Sequence, residues 1–437
     1  MIAQKKYSFI EESKSFTYKK YPSYKDSGIE WIGEIPEGWE IHKTKNISIN
    51  LDGKRVPITA NLREEGETPY YGATGILDYV KGHIFNEDLL LIGEDGAPFF
   101  DKTKNVSFLV SGKSWINNHA HVLRINKNVS RDYLCYYFNA CDYTQYIKGS
   151  TRDKLNQDEL NNMAVVMPPL QEQTKIAEFL DEKTEKIDKI IQKNTELINL
   201  LKEKRISLIN NAVTKGLDKN VNLKDSGIDW IGEIPEGWEV RKLKDLSNLI
   251  IDGTHFTPTY VDKGIPFLRV TDIQSEKIDM GSIKYIPKEE YLKLNLRCNP
   301  KKGDLLFSKN GTIGIPKVVD WDFKFSIFVS LCLIKLKEII SVNFLKYYLV
   351  SPAIKEQIYV RSKTTSVTNL HLDQIREFFI SFPPIQEQTN IAQYLDKETE
   401  KIDKIIIKTE KNIELLKEYK TSLIHNAVTG KIDVRGE

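Results

Sequence analysis

The sequence predicts an α+β protein with a pseudo-two-fold tandem repeat, in which two mixed α/β domains are joined by two long helices that pair antiparallel as a coiled coil. Three observations support this fold class. Two blocks of sequence occur twice, they surround inserts that differ between the halves, and each half ends in a long helical pattern with heptad spacing. A repeat of about 200 residues is too long for a solenoid or propeller unit, so we infer duplication of a whole module.

The repeated blocks define the organisation of the chain. KDSGIEWIGEIPEGWE at 25–40 returns as KDSGIDWIGEIPEGWE at 224–239, and PPLQEQTKIAEFLDEKTEKIDKII at 168–191 returns as PPIQEQTNIAQYLDKETEKIDKII at 383–406. They predict an N-terminal tail, two domains that each begin with the first block, and two long helices. The corresponding boundaries are 1–24, 25–167, 168–216, 217–382 and 383–437.

A long helix is predicted after each double proline. Between Gln171 and Val213 nothing interrupts the helical pattern, and at 1.5 Å per residue this stretch is about 64 Å long. Residues recur at intervals of seven with one polar member in each copy, which is typical of a coiled coil with a fixed register. The predicted core positions are Leu180, Ile187, Asn194, Leu201 and Leu208 in the first helix, and Leu395, Ile402, Thr409, Leu416 and Leu423 in the second. The alternative is that each helix packs only on its own domain.

The two inserts are predicted to share one fold and to present different surfaces. Each has an apolar strand that runs into a glycine-rich loop, EDLLLIGEDGAP at 87–98 and GDLLFSKNGTIG at 303–314, followed by further strand sequence and a Tyr-rich helix. From 240 to 382, 22 Lys and Arg against 15 Asp and Glu give a charge of +7, whereas 15 of each from 41 to 167 give zero. A basic excess suits a polyanion, but only the second insert has one.

Polar loop residues are the candidates for contact with DNA, because small and basic side chains in such loops can bind phosphates and base edges. For each of them, a solvated loop without a partner is the alternative. The candidates are Asn117, Asn118, His119, Ser150, Thr151, Arg152 and Lys154 in the first insert, and Ser308, Lys309, Asn310, Arg361, Lys363, Thr364 and Thr365 in the second.

Metal sites, disulfides and membrane spans are not expected. His119 and His121 alternate on a predicted strand and so share one face, but no further ligands are apparent near them in the sequence. The cysteines have neither zinc-site nor disulfide spacing, and we expect reduced, mostly buried thiols at Cys135, Cys141, Cys298 and Cys332. The sequence contains no apolar run of transmembrane or signal-peptide type, which predicts a cytoplasmic protein.

The motifs W-I-G-E-I-P-x-G-W and P-P-[LI]-Q-E-Q-T-x-I-A-x-[FY]-L-D, with divergent inserts and heptad helices, resemble those of the specificity subunit of type I restriction–modification systems. The resemblance extends from about Asp26 to Asp433. It implies that each insert is a target recognition domain that reads one half of an asymmetric, bipartite site in double-stranded DNA. It also implies that the helices set the spacer and dock two DNA adenine methyltransferase subunits, which restriction and translocase subunits join. The chain would then be non-catalytic and hold no cofactor, with S-adenosylmethionine, ATP and Mg²⁺ bound by partner subunits.

Two other functions compete with this one. A DNA adenine methyltransferase needs a [DNS]-P-P-[FYW] motif, whereas the double prolines here read MPPL and FPPI, and the sequence contains no G-x-x-x-x-G-K-[ST] phosphate loop. A coiled-coil scaffold with protein-binding inserts is the second competitor. It would differ from a DNA reader by lacking salt-sensitive binding to duplex DNA.

Overall fold

The computed structural model describes residues 18–147, 153–275, 277–362 and 369–436, and for 361 and 362 it describes the backbone only. The chain forms two compact units. The first unit comprises the described residues up to Thr195 and those from Glu410 onward, and the second comprises those from Glu196 to Thr409. Among the described residues, no helix is long and apolar enough to cross a membrane.

The first unit is built from short strands that form two four-stranded sheets and two strand pairs. The strands are β1 (Tyr24–Asp26), β2 (Glu34–Pro36), β3 (Glu40–Lys43), β4 (Ser48–Asn50), β5 (Glu65–Gly72), β6 (Gly75–Val80), β7 (Phe85–Asn86), β8 (Leu89–Gly93), β9 (Ser107–Val110), β10 (Lys113–Ile116), β11 (Ala120–Ile125) and β12 (Ala164–Met167). The helices are α1 (Thr44–Ile47), α2 (Arg131–Ala140), α3 (Gln157–Asn162) and the long helix α4 (Leu170–Lys215), whose second half belongs to the other unit.

The central sheet of the first unit has the strand order β4-β11-β8-β9, and the second sheet has the order β6-β5-β10-β7. In the central sheet all neighbours are antiparallel, whereas β5 and β10 are parallel. The apolar run of β8 is buried throughout because both of its faces are covered. Leu90 and Ile92 pack in the cluster that contains α2, and Leu89 and Leu91 pack in a separate cluster with β11.

The second unit repeats this plan with different residues. Its strands are β13 (Leu223–Asp225), β14 (Glu233–Pro235), β15 (Glu239–Lys242), β16 (Ser247–Asp252), β17 (Ile265–Leu268), β18 (Lys284–Ile286), β19 (Leu305–Ser308), β20 (Pro316–Val318), β21 (Ser326–Ile327), β22 (Leu331–Leu336) and β23 (Phe379–Phe382). Its helices are α5 (Lys288–Arg297), α6 (Val342–Val350), α7 (Pro352–Ser362), α8 (Leu372–Arg376) and the long helix α9 (Ile385–Val428), whose C-terminal end belongs to the first unit.

The strand orders confirm that the inserts share a fold. The central sheet of the second unit is β16-β22-β19-β20, with the same antiparallel pairings, and β17 pairs with β21 in parallel as β5 does with β10. The segments 114–125 and 325–336 correspond, which places His121 of β11 and Cys332 of β22 at the same position. Ile92 pairs with His121 and Phe307 pairs with Cys332, so Ile92 corresponds to Phe307. The match of 87–98 with 303–314 is therefore offset by one residue at this strand.

The repeated P-P-x-Q-E-Q motif joins each long helix to its domain. Gln173 is buried, its Oε1 accepts a hydrogen bond from the backbone N–H of Ser130 at 2.8 Å, and its Nε2 donates to the carbonyl of Pro168 at 2.8 Å. Ser130 is the N-cap of α2, so one side chain fixes the starts of two helices. The same bonds, at 2.7 and 2.8 Å, recur between Gln388 and the backbones of Ser341 and Pro383.

The other repeated block, W-I-G-E-I-P-x-G-W, packs against the end of a long helix. In the first unit a Cβ on Gly430 would lie 2.4 Å from Pro36 Cδ and 3.1 Å from Trp39, and its φ of +70° is the left-handed region that favours glycine. In the second unit Gly216, with φ +76°, also lies beside Trp238, but a Cβ there would be 3.4 Å from the ring. Glycine therefore ends the helix at both positions, and at Gly430 the absence of a Cβ also leaves room for Pro36 and Trp39.

The predicted antiparallel helix pair is confirmed. In the first unit Lys420 on α9 binds Asp188 on α4 at 2.7 Å, and in the second Arg205 on α4 binds Asp403 on α9 at 2.8 Å. Most of the predicted core positions are shielded from solvent. Leu180, Ile187, Asn194, Leu395, Ile402, Leu416 and Leu423 are buried, and Leu201, Leu208 and Thr409 are half-buried.

The N-terminal tail predicted for residues 1–24 is not a tail over its described part. Tyr21 is buried in the first unit, and its hydroxyl donates a 2.5 Å hydrogen bond to Glu172. The guanidinium of Arg435 lies over the Tyr21 ring, 4.8 Å from its centroid. The sequence did not predict this packing, because a short segment held by aromatic side chains has neither a repeat nor a periodic pattern.

Candidate nucleic-acid interface

Loops that are distant in sequence meet at one end of the central sheet of the first unit. The segment after β8 lies between the β10–β11 turn and residues 153–155. The N–H of Glu94 donates to the carbonyl of His119 at 2.8 Å, and the N–H of Leu155 donates to the carbonyl of Glu94 at 2.8 Å. The structure therefore brings together two predicted groups of DNA-contact candidates, 117–119 and Lys154.

Three of these candidates reach the surface of the loop cluster. Asn118 and Lys154 are exposed, and His119 is half-buried with its Nδ1 3.6 Å from an oxygen of Asp95. Asn117 is buried, and its Oδ1 accepts the backbone N–H of His119 at 2.8 Å. We therefore reassign Asn117 from DNA contact to holding the turn.

His119 and His121 do not share a strand face as predicted. His119 lies in the turn before β11, where the chain leaves the sheet, and only His121 lies on the strand. The prediction is wrong because 113–125 forms two strands, in two different sheets, rather than one.

The second unit forms an equivalent loop cluster. The N–H of Lys309 donates to the carbonyl of Ser330 at 2.9 Å, and the N–H of Leu370 donates to the carbonyl of Lys309 at 2.8 Å. Asn310 and Asn369 form an antiparallel bridge, at the positions of Asp95 and Lys154 in the first unit.

Two candidates in the second unit are buried. Ser308 is 0% exposed, and its hydroxyl accepts the N–H of Ile315 at 2.8 Å. Lys309 is 4% exposed, and its ammonium lies 3.5 Å from a carboxylate oxygen of Asp252. We reassign both from DNA contact to support of the loop, while Asn310 is half-buried at its edge.

Other candidates lie outside the described residues, or have side chains that do. They are Ser150, Thr151 and Arg152 in the first insert, and Arg361, Lys363, Thr364 and Thr365 in the second, where only the backbone of Arg361 is described at the end of α7.

An ion-pair network that the sequence interpretation missed supports the first loop cluster. Asp52 follows β4 and is buried, and its Oδ1 accepts the N–H of Val122 at 2.8 Å while its Oδ2 lies 2.6 Å from His121 Nδ1. Arg55 donates to Glu94 at 2.5 Å and to the carbonyl of Ala120 at 2.9 Å. Lys154 Nζ lies 3.2 Å from Glu94.

The electrostatics of this network favour ionised carboxylates. Burial by itself would raise the pKa of Asp52, but the hydrogen bond and charge of His121, the amide of Val122 and the guanidinium of Arg55 hold that pKa below its ordinary value. Burial likewise opposes ionisation of Glu94, whose pKa is lowered by Arg55, His121 and Lys154. Both side chains therefore act as hydrogen-bond acceptors.

Asp52, Glu94 and His121 are also the residues with the geometry nearest to a metal site. Among the described residues, they form the one cluster in which three potential ligand atoms lie within 4.8 Å of one another. The Arg55 guanidinium already contacts Glu94 and lies 3.6 Å from Asp52 Oδ2. Because a metal ion would have to displace this cation, we interpret the cluster as an ion-pair network.

A buried aspartate occupies the same place in the second unit. Asp252 ends β16, and it accepts hydrogen bonds from Arg297 at 2.7 Å and from His255 at 3.0 Å. Burial opposes its ionisation, but the hydrogen bonds from Arg297 and His255 and the charge of Lys309 lower its pKa. The signal in the sequence is an Asp-Gly pair near the end of the first strand of each central sheet, at 52–53 and 252–253.

A family model described as the type I restriction modification DNA specificity domain matches residues 36–200 and 235–417. The chain belongs to this family. The DNA specificity domain is thus present twice, and the chain is a DNA sequence-specificity subunit of a type I restriction–modification system.

Individual relatives match over most of the chain. A Haemophilus influenzae protein assigned as a type I restriction enzyme specificity subunit is 28% identical over 84% of this chain and 90% of its own length. The type I restriction enzyme MjaVIII specificity subunit of Methanocaldococcus jannaschii is 25% identical over 92% of this chain and 94% of its own.

Two solved structures support the fold. A chain from a structure titled for complex assembly and conformational transition of the type I R-M system has a TM-score of 0.67 at 17% identity, covering 90% of this chain and 98% of that one. The HsdS subunit from Thermoanaerobacter tengcongensis has a TM-score of 0.52 at 16% identity, covering 91% and 98%.

Proposed function

We propose that each specificity domain reads one half of a bipartite, asymmetric site in double-stranded DNA, using the loop cluster at the end of its central sheet. The observation that carries this proposal is that one backbone arrangement is built twice with different side chains. Glu94, Asp95, Lys154 and His121 of the first domain correspond to Lys309, Asn310, Asn369 and Cys332 of the second. The buried pairs support the loops. The pairs that reach the surface, Asp95 with Asn310 and Lys154 with Asn369, present different donors and acceptors and so favour different half-sites.

We further propose that the helices set the distance between the half-sites. The 46 residues of α4 extend about 69 Å at 1.5 Å per residue. One turn of B-DNA is about 34–36 Å, so a rigid helix of this length can separate two readers by one to two turns.

The proposal also assigns chemistry to partner subunits. Two DNA adenine methyltransferase subunits would dock on the helices and restriction and translocase subunits would join them, so that S-adenosylmethionine, ATP and Mg²⁺ are bound outside this chain. Exposed apolar helix positions in the second unit support docking, since Leu200 and Ile407 are 63% and 64% exposed. The described cysteines are free, as in a reducing compartment, and we place the complex in the cytoplasm.

The geometry gives no support to catalysis by this chain through the double prolines. Pro169 accepts the N–H groups of Glu172 and Gln173 at 2.8 and 3.0 Å, so the motif forms the first turn of α4 rather than a loop that grips a flipped base. A methylation assay on the isolated chain should therefore show no methyl transfer.

The test is a genome-wide map of methylated adenines in cells with and without this chain. We expect one split, asymmetric motif that disappears on deletion of the gene. Loss of a continuous motif, or no change in methylation, would refute the proposal. Salt-insensitive association with duplex DNA in the assembled complex would favour the scaffold alternative instead.

A further inference from the structure

His121 is a buried side chain whose two ring nitrogens both face oxygen acceptors. It is 0% exposed, with Nδ1 2.6 Å from Asp52 Oδ2 and Nε2 2.8 Å from the carbonyl oxygen of Leu155. An ionised carboxylate and a carbonyl accept hydrogen bonds but donate none. Only the doubly protonated imidazolium supplies a donor to each of them.

Two carboxylates lie close to the His121 ring. Asp52 is its direct partner, and the second carboxylate, Glu94, lies 3.8 Å from His121 Nδ1 and is paired with Arg55. Lys154 contacts the other oxygen of Glu94. His121 is thus the nearest partner of the buried Asp52, since Arg55 lies 3.6 Å from Asp52 and is shared with Glu94.

The His121 ring ties residues 153–155 to the sheet. Leu155 is itself 0% exposed, and its two backbone polar groups are both used, the N–H on Glu94 and the carbonyl on His121. Lys154 precedes it, and the 118–119 turn is bound to the same network through Glu94 and Arg55. The second domain has Cys332 at the position of His121, and its thiol contacts Leu333 of its own strand.

We propose that His121 is a positioning residue of the first specificity domain, which holds residues 153–155 and the 118–119 turn in the arrangement that reads the first half-site. The proposal rests on the proposed function of this loop cluster. It assigns to His121 no contact with DNA, because the side chain is buried beneath the loops.

The first experiment tests whether the ring is held in place. ¹⁵N-histidine spectra of the full chain, assigned with His121→Gln, should show a ring proton of His121 that exchanges slowly with solvent, because the buried ring is hydrogen-bonded to Asp52 and Leu155. Exchange as fast as that of an exposed histidine would overturn the proposal.

The second experiment uses the assembled methyltransferase complex and duplexes in which each base pair of the two half-sites is substituted in turn. His121→Phe removes both donors, and His121→Gln retains one. With His121→Phe we expect about a tenfold loss of discrimination at base pairs of the first half-site, the scale of one base contact, with the second half-site read normally. His121→Gln should lie between His121→Phe and the unaltered chain.

The matched control is Val122→Ala, the next residue of β11, which is also 0% exposed. The substitution weakens the core but keeps the backbone hydrogen bond from the N–H of residue 122 to Asp52. Even if it lowers the melting temperature as much as His121→Phe does, it should leave discrimination unchanged. Equal loss of discrimination with Val122→Ala, or none with His121→Phe and His121→Gln, would overturn the proposal. If the unaltered complex ignored substitutions in both half-sites, the proposed function itself would fail.

Discussion

Replacing Gln173 with alanine should selectively destabilise the first unit. The side chain is 2% exposed and makes two hydrogen bonds, to the N–H of Ser130 and the carbonyl of Pro168, each 2.8 Å long. The substitution leaves both backbone groups without this partner in a buried region, and each such loss costs about 1–3 kcal/mol. We expect the free energy of unfolding of the first unit to fall by about 2–6 kcal/mol.

Hydrogen exchange in increasing urea, followed on peptides of α2 and α6, measures the stability of each unit separately. With Gln173→Ala protection should fall in α2, whose N-cap is Ser130, and remain in α6. Gln388→Ala should show the converse, because Gln388 bonds Ser341, Pro383 and Ile339.

Gln171→Ala is the matched control, since Gln171 is exposed on the same helical turn and should change stability by less than about 0.5 kcal/mol. If Gln173→Ala were no more destabilising than Gln171→Ala, or if it affected α6 as much as α2, the structural explanation of the P-P-x-Q-E-Q motif would be refuted.

Three further predictions concern recognition and pH. Exchanging residues 41–167 for the corresponding segment of another specificity subunit should change one half-site in a map of methylated adenines; a change in both would contradict modular reading. Seven residues inserted after Ile191 keep the heptad register and lengthen α4 by about 10 Å, so the mapped spacer should change while the half-sites stay the same; an unaltered spacer would argue against the helix as a ruler. Because the folded pKa of Asp52 and Glu94 is lowered, their contribution to stability is present above the unfolded carboxyl pKa of about 4 and lost as pH falls through the folded value. Acid denaturation followed on α2 should therefore be less pH-dependent in Asp52→Asn, and an unchanged acid transition would exclude Asp52 as a contributor.

The sequence by itself determined the repeated architecture and the helix pair. Two nearly identical blocks around divergent inserts required one fold used twice, and the strand orders of the two central sheets agree. Heptad spacing predicted the pairing of α4 with α9, and Asn194, its predicted polar position in α4, is buried. These features are periodic or repeated along the chain, so local patterns were sufficient to find them.

Only the tertiary structure decided which polar residues meet and which are hidden. Ser308 and Lys309 look like exposed loop residues in the sequence, but both are buried, Ser308 at the end of β19 and Lys309 where the N–H of Leu370 bonds to its carbonyl. The links from His121 to Asp52 and to Leu155 join residues 69 and 34 positions apart, brought together by the pairing of β4 with β11 and the packing of the loops at the end of the sheet. Such contacts carry no periodicity, because they depend on strand register in three dimensions rather than on spacing along the chain.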